Sequence, residues 1–455
     1  FTLCRSDMKI LFISLGCDKN LVDTEVMLGL LASRGYEMTD DERQADIIVI
    51  NTCCFIHDAK EESINTILEM AQYKEQNLKA LVVAGCLAER YKDEILKEIP
   101  EIDAVLGTTS YDSIVEAVNT ALEENTGEHF EHYESIDYLP DNSEVERVVT
   151  TGNHMAYLKI AEGCDKRCSY CIIPKIRGRF RSVPMQELLN EAKRLASEGV
   201  KELVLVAQET TLYGKDLTGE KQLPLLLHEL CKIEGIEWIR LLYCYPEEIT
   251  DELIKVIKTE EKVCNYIDMP IQHSENRILQ RMGRRTSRED LVAVIKKLRK
   301  EIPDITIRTT LITGFPGESQ EDHEGLMNFV EECQFDRLGV FTYSPEEDTL
   351  AATFEDQIDE EVKEERRDEL MSLQQEISYE HTQQLVGKTI KVMVEGYLFE
   401  DDIYVGRSYM DAPKVDGCVF INSPEELMTG DFVYVKITQG REYDVIGEVD
   451  YEFTK

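Results

Sequence analysis

Short apolar runs alternate with helical spacing along the first quarter of the chain. Lys9–Leu15 (KILFISL), Asp46–Asn51 (DIIVIN), Ala80–Ala84 (ALVVA) and Ala104–Gly107 read as strands, and their apolar character throughout predicts burial on both faces. Leu21–Ser33, His57–Tyr73 and Leu87–Ile99 carry helical periodicity between them. This order predicts an open parallel α/β domain over residues 8–122. Glu123–Glu146 is acidic, with Asn, Gly and Pro and no period, so residues 123–153 read as a linker. A second series starts at His154, with strands expected at Ala156–Ile160, Leu203–Ala207, Trp238–Tyr243, Tyr266–Met269, Thr306–Ile312 and Arg337–Tyr343. Helical stretches such as Met185–Glu198 and Arg288–Lys300 separate them. About six β/α units fall short of the eight of a closed barrel, so a partial barrel is expected over residues 154–384. A long charged helix, Gln357–Leu385, completes that region. Lys388–Tyr397, Ile403–Ser408, Val419–Ile421, Phe432–Thr438 and Tyr443–Val449 are short strands split by turn residues, which predicts a small β-barrel over residues 385–455.

Composition narrows the function. A chain of 455 residues has room for two to four domains. With 42% hydrophobic and 31% charged residues it is neither disordered nor fibrous. No apolar run reaches bilayer length and no signal-peptide pattern is visible, so a cytoplasmic protein without a membrane partner is expected. Phe1–Asp7, ahead of Met8, reads as an appended leader. Fifty Lys+Arg against ninety Asp+Glu give a net charge of −40, a surface that repels phosphate backbones and favours basic partners. A general solubility bias would leave the same composition. Thirteen cysteines without an export signal point to metal binding or catalysis rather than a disulfide framework.

The sharpest local signal is Cys164, Cys168 and Cys171, a C-x3-C-x2-C run just after the first barrel strand. Three thiolates on one loop can hold three irons of a [4Fe–4S] cluster and leave the fourth iron open. A structural zinc site would want a fourth Cys or His nearby, and none is close in sequence. Cys17, Cys53 and Cys86 each follow the carboxyl end of a predicted parallel strand. Those ends share one sheet edge, so the three thiols converge and suggest a second [4Fe–4S] cluster. Cys53 is preferred to Cys54 because it follows the strand end directly, and its neighbour's side chain points elsewhere on extended backbone. Cys4, Cys231, Cys244, Cys264, Cys333 and Cys418 show no grouping and read as packing or surface thiols.

The Cys164–Cys171 loop on a partial barrel resembles the radical S-adenosylmethionine superfamily. Two cysteine triads and a terminal β-barrel resemble its methylthiotransferase family, which has an auxiliary-cluster domain, a radical domain and a C-terminal TRAM domain. The resemblance implies two [4Fe–4S] clusters and S-adenosylmethionine as cofactors, one molecule as methyl source and one as source of the 5′-deoxyadenosyl radical. It also implies an electron donor as partner. It places Tyr170 near the adenine, although simple packing of the loop explains that residue equally. Gly314 and Gly317, in Thr310–Glu318 (TLITGFPGE), either let backbone approach the cofactor or shape a tight turn. Ser14–Asp23 (SLGCDKNLVD), Ile172–Ser182 (IIPKIRGRFRS), Leu203–Gly214 (LVLVAQETTLYG) and Gly406–Gly417 (GRSYMDAPKVDG) look like the RimO type, which modifies an aspartate of a ribosomal protein. The MiaB type, which modifies an adenosine of transfer RNA, usually has Gly-Cys-Gln-Met-Asn where this chain has Gly16-Cys17-Asp18-Lys19-Asn20. Residues 385–455 hold seven Lys+Arg and fourteen Asp+Glu, a net of −7, which suits a basic protein better than RNA. The implied reaction is methylthiolation of an aspartate β-carbon in the small-subunit ribosomal protein twelve. The alternative is methylthiolation of N6-isopentenyladenosine in transfer RNA, which is not an expected partner; a non-catalytic Fe–S protein is a more distant third. Arg177, Arg179 and Arg181 read singly as a solvated basic face rather than as contacts to an acidic substrate group or the cofactor carboxylate.

Overall fold

The computed structural model describes residues 8–123 and 129–452; the expected leader Phe1–Asp7, with Cys4 in it, lies outside the described residues. Lys9–Ser14 (β1), Glu37–Met38 (β2), Ile47–Thr52 (β3), Ala80–Gly85 (β4), Ala104–Leu106 (β5) and Phe130–His132 (β6) form one parallel sheet in the order β2-β1-β3-β4-β5-β6. Every residue of β3, β4 and β5 is buried, as apolar strands covered on both faces must be. Helix α1 (Asp18–Ala32) packs Val26, Met27 and Leu31 on one face. Helix α2 (His57–Ala71) and the short α3 (Cys86–Arg90) pack Ile67, Leu87 and Ala88 on the other.

Two elements differ from the sequence reading. The acidic stretch read as a linker contributes β6, which pairs with β5 from Ala104↔Phe130 to Leu106↔His132. An edge strand this short is held by its backbone ladder and needs no side-chain period. The helix expected over Leu87–Ile99 breaks after Arg90, and only Ile95–Glu98 resumes it. At the break Arg90 donates to the Cys54 carbonyl (3.1 Å), the Glu346 carboxylate (3.2 Å) and the Glu347 carbonyl (2.9 Å).

The second sheet is parallel throughout. Met155–Lys159 (β7), Glu202–Val206 (β10), Trp238–Leu241 (β11), Val263–Asp268 (β12), Thr306–Thr313 (β13) and Arg337–Thr342 (β14) run in the order β14-β13-β12-β11-β10-β7. Among the described residues β7 and β14 do not pair, so the barrel stays open. Ala161–Glu162 (β8) and Arg181–Ser182 (β9) form a small antiparallel pair beside it. The largest apolar core lies between this sheet and its helices.

The last five strands, Thr389–Leu398 (β15), Ile403–Ser408 (β16), Val419–Asn422 (β17), Phe432–Gly440 (β18) and Val445–Val449 (β19), close a barrel in the order β15-β16-β17-β19-β18. It docks against the start of the open sheet. Glu202, fully buried, accepts from Arg240 (2.8 Å) and from Arg407 of the small barrel (2.6 Å). Trp238 meets Phe432 edge-on at 4.8 Å. Arg308 and Arg337 pair with Asp416 (3.3 Å) and Asp411 (2.6 Å).

Candidate functional site

Cys17, Cys53 and Cys86 follow the carboxyl ends of β1, β3 and β4. Side-chain bonds stitch these three ends together. Asn20, one turn into α1, donates to Leu15 O (3.0 Å) and Thr52 O (2.9 Å). Thr52 donates to Ala84 O (2.6 Å) and accepts from Leu87 N (3.2 Å). Gly16 and Gly85 precede two of the cysteines with φ of +84° and +93°, a backbone that L side chains rarely adopt. A Cβ at Gly16 would stand 2.7 Å from the Cys53 sulfur, so the glycine is what lets the Cys17 turn approach Cys53. The three thiols lie within electrostatic reach of one another. Burial pushes the Cys86 and Cys53 thiols up, and the Arg177 guanidinium pulls each back. Cys54 is buried in the same apolar cluster as Cys86, beside the Arg90 guanidinium, and burial pushes its thiol up to about 12. Cys244, Cys264 and Cys333 are buried as well.

Cys164, Cys168 and Cys171 follow β7 and β8. The Cys171 amide donates to Cys168 O (3.1 Å), Cys164 N to Gly178 O (3.1 Å) and Ser169 N to Met282 O (2.9 Å), which folds the loop back over the barrel mouth. Burial pushes the Cys164 thiol up to about 12. Among the described residues no three His, Cys, Asp or Glu side chains close on a single metal ion, and three thiols that each take a different iron need not.

A cavity of about 290 Å³ opens beside Cys168, lined in part by Lys166, Tyr245, Glu247 and Arg284. Arg284 is 8% exposed, stacks on the Tyr245 ring at 4.6 Å and donates to Pro270 O (2.8 Å). Among the described residues its Nε and Nη1 have no partner, nor have Glu209 Oε2 and Glu247 Oε2. Burial and the neighbouring Glu247 and Glu248 push the Glu209 carboxyl up to about 7, against the pull of Lys166. Unpaired buried donors beside unpaired acceptors fit an amino-acid zwitterion, carboxylate toward Arg284 and ammonium toward the glutamates. These residues escaped the sequence reading. The available signal was charge just past the ends of elements, Glu209 after β10 and Arg284 after the short helix Asn276–Arg281.

Tyr170 is half-buried and joins Ile278, Met282 and Phe315 in a small apolar cluster. Gly314 and Gly317 sit in the turn after β13. Gly314 is covered by Lys363, its amide donates to Glu318 (3.1 Å), and Gly317 packs on Arg281 and Asp356. Phe315 of the same turn shares an apolar cluster with Tyr170.

Arg177 corrects the reading of a solvated basic face. It is 2% exposed and pairs through Nη1 with Asp23 (2.9 Å) and Glu162 (3.1 Å). Its Nη2 donates to Asn20 Oδ1 and lies 3.5 Å from the Cys86 sulfur. Lys159, the last residue of β7, pairs with Asp23 and, at 2.8 Å, with Glu162. Arg179 is exposed, while Arg181 bends back to the Arg177 carbonyl (3.2 Å). Lys19 lies 3.3 Å over the Tyr243 ring, and Tyr243 donates to Asp18 (2.9 Å). The carboxyl ends of the two parallel sheets therefore face each other, with a triad on each side.

Residues 9–107 match Uncharacterized protein family UPF0004, residues 158–330 the Radical SAM superfamily and residues 386–449 the TRAM domain. A relative from Lachnoclostridium phytofermentans, named ribosomal protein uS12 methylthiotransferase RimO, is 62% identical over 97% of this chain and 100% of its own. The chain belongs to the RimO family of radical S-adenosylmethionine methylthiotransferases. A RimO of Acetivibrio thermocellus is 51% identical over 98% of this chain and 99% of its own. Among solved structures, the radical S-adenosylmethionine methyltransferase TsrM from Kitasatospora setae shares the fold, with a TM-score of 0.54 at 13% identity over 84% of this chain and 79% of that one. As a RimO-family enzyme the chain uses an iron–sulfur cluster and S-adenosylmethionine. No helix among the described residues is long and apolar enough to cross a membrane.

Proposed function

We propose that this enzyme methylthiolates the β-carbon of an aspartate in ribosomal protein uS12, with Cys164, Cys168 and Cys171 holding the radical cluster and Cys17, Cys53 and Cys86 an auxiliary cluster. The observation that carries the reading is that Cys17, Cys53 and Cys86 follow the ends of one parallel sheet while Arg177 bridges Cys86 to Glu162, two residues before Cys164. Soft thiolate sets suit iron–sulfur clusters rather than hard cations. When bound, the clusters and S-adenosylmethionine supply the electron, the 5′-deoxyadenosyl radical and the methylated sulfur.

The chain's own residues do the rest. Arg284 takes the methionyl carboxylate with the two nitrogens that bond nothing else, and Glu209 and Glu247 take the ammonium. Tyr170, with Phe315, bounds the adenine side. Reduction needs an external electron donor, and the chain acts in the cytoplasm. The acidic terminal barrel attracts a basic ribosomal protein and repels transfer RNA, which sets encounter and register more than affinity. The test is anaerobic reconstitution with iron and sulfide, then S-adenosylmethionine and reductant, with uS12 in one tube and unmodified transfer RNA in the other. Mass spectrometry showing one methylthio group on a uS12 aspartate is the expected result. The group on transfer RNA instead would overturn the substrate.

A further inference from the structure

Arg177 has more contacts than tying two domains together requires. Its Nη1 is taken by the carboxylates of Asp23 and Glu162. Its Nη2 is directed into the auxiliary triad, toward Asn20 Oδ1 and the Cys86 sulfur. Asn20 is the same side chain that staples the ends of β1 and β3. Glu162 stands two residues before Cys164, receives Gln208 (2.8 Å) on its other oxygen, and bonds the Gly163 amide (3.3 Å). One planar cation thus reaches a sulfur of one triad and the backbone that carries the other. Two cations, Arg177 and Lys159, balance two carboxylates, Asp23 and Glu162, in this buried network. Loss of the Arg177 charge would leave the pocket beside Cys86 one charge negative, the least favourable setting for a thiolate.

We propose that Arg177 is a positioning residue for the auxiliary cluster, donating an N–H to the Cys86 sulfur while Glu162 fixes that donor relative to the Cys164 loop. The inference rests on the assignment of Cys17, Cys53 and Cys86 to a cluster. Hydrogen bonds and positive charge at a ligating sulfur draw electron density from it, hold the ligand and raise the reduction potential. Little solvent screens them here, because Arg177 is 2% exposed. Lysine would keep the charge but cannot serve both carboxylates and the sulfur with one fork.

The experiment uses the full chain with Cys164, Cys168 and Cys171 replaced by alanine, so that only the auxiliary cluster is read. Reconstituted parent, Arg177→Gln and Arg177→Lys proteins are compared for iron release to a chelator and for the midpoint of reduction followed by electron paramagnetic resonance. Arg177→Gln is expected to release iron at least about tenfold faster and to titrate at a more negative potential. Arg177→Lys is expected between it and the parent on both readouts. A Gln variant that melts lower but matches the parent in release rate and midpoint overturns the proposal and leaves Arg177 a tie between domains. If circular dichroism shows the Gln variant unfolded, the Lys variant decides, and parent-like values in it overturn the proposal. A parent that takes up no cluster refutes the cysteine assignment itself, and the inference falls with it.

Discussion

Glu202 opens β10 with no exposure, held between Arg240 of the neighbouring strand and Arg407 of the small barrel. The two guanidiniums hold its carboxyl at about 2, against an ordinary 4.5. That displacement of about 2.5 corresponds to ~3 kcal/mol of favourable interaction in the folded state, because each pH unit is worth about 1.4 kcal/mol. The folded value is the depressed one. The contribution is therefore complete above pH 4.5 and drains away as pH falls toward 2. Glu202→Gln keeps the shape but leaves buried Arg240 without a carboxylate, while Arg407 retains Glu395 (2.7 Å); breaking the buried Arg240 pair costs about 3 kcal/mol, the lower end of the range for such a loss. The chain carries its own reporter. Trp238 is the single tryptophan of the sequence and packs on Phe432 across the same interface. Urea unfolding followed by its fluorescence at pH 7 should show the variant several kcal/mol weaker than wild type. The gap should shrink when both are measured near pH 3. A variant within about 0.5 kcal/mol of wild type at pH 7, the range of ordinary surface substitutions, would refute the claim that Glu202 fastens the barrel to the sheet.

Gly16→Ala forces a Cβ to 2.5 Å from that of Cys53 on a left-handed backbone; iron analysis should find the auxiliary cluster lost and the cluster on the Cys164 loop retained. Arg284→Met should weaken S-adenosylmethionine binding by about tenfold to a hundredfold in calorimetry, the worth of a charge-assisted fork. Its circular dichroism should barely change, because two of the nitrogens it removes hold nothing else. Raising salt from 0.05 to 0.5 M, a shortening of the Debye length from roughly 14 to 4 Å, should raise KM for uS12 while kcat stays level.

Much of the architecture was legible because its strands announce themselves. The buried parallel strands read as unbroken apolar runs, so β3 and β4 were found within a residue or two. Convergence of Cys17, Cys53 and Cys86 followed from topology alone, since parallel strand ends share an edge. The misses have a common cause. β6 is a three-residue edge strand recruited by backbone pairing, which leaves no period. Arg177 read as an ordinary surface cation because its partners Asp23 and Glu162 are distant from each other in sequence. A buried charge network has no local pattern. Its one trace was Lys159 at the end of an otherwise apolar strand.

The distribution of charge follows one logic. An excess of forty negative charges on the chain coexists with fully buried cations placed where they are needed. Arg177 and Lys159 stand between the two triads, Arg284 faces the cavity, and Arg240 and Arg407 lock the terminal barrel. On the proposed assignment each thiolate-bound cluster would add negative charge, and burial alone would expel it. Buried guanidiniums offset that cost where the facing sheets form the site, while the outer surface keeps the sign that attracts a basic protein and repels RNA. The net negative charge of the surface and the few buried cations of the interior thus do separate work, one toward the substrate and the other toward the site and the domain contact.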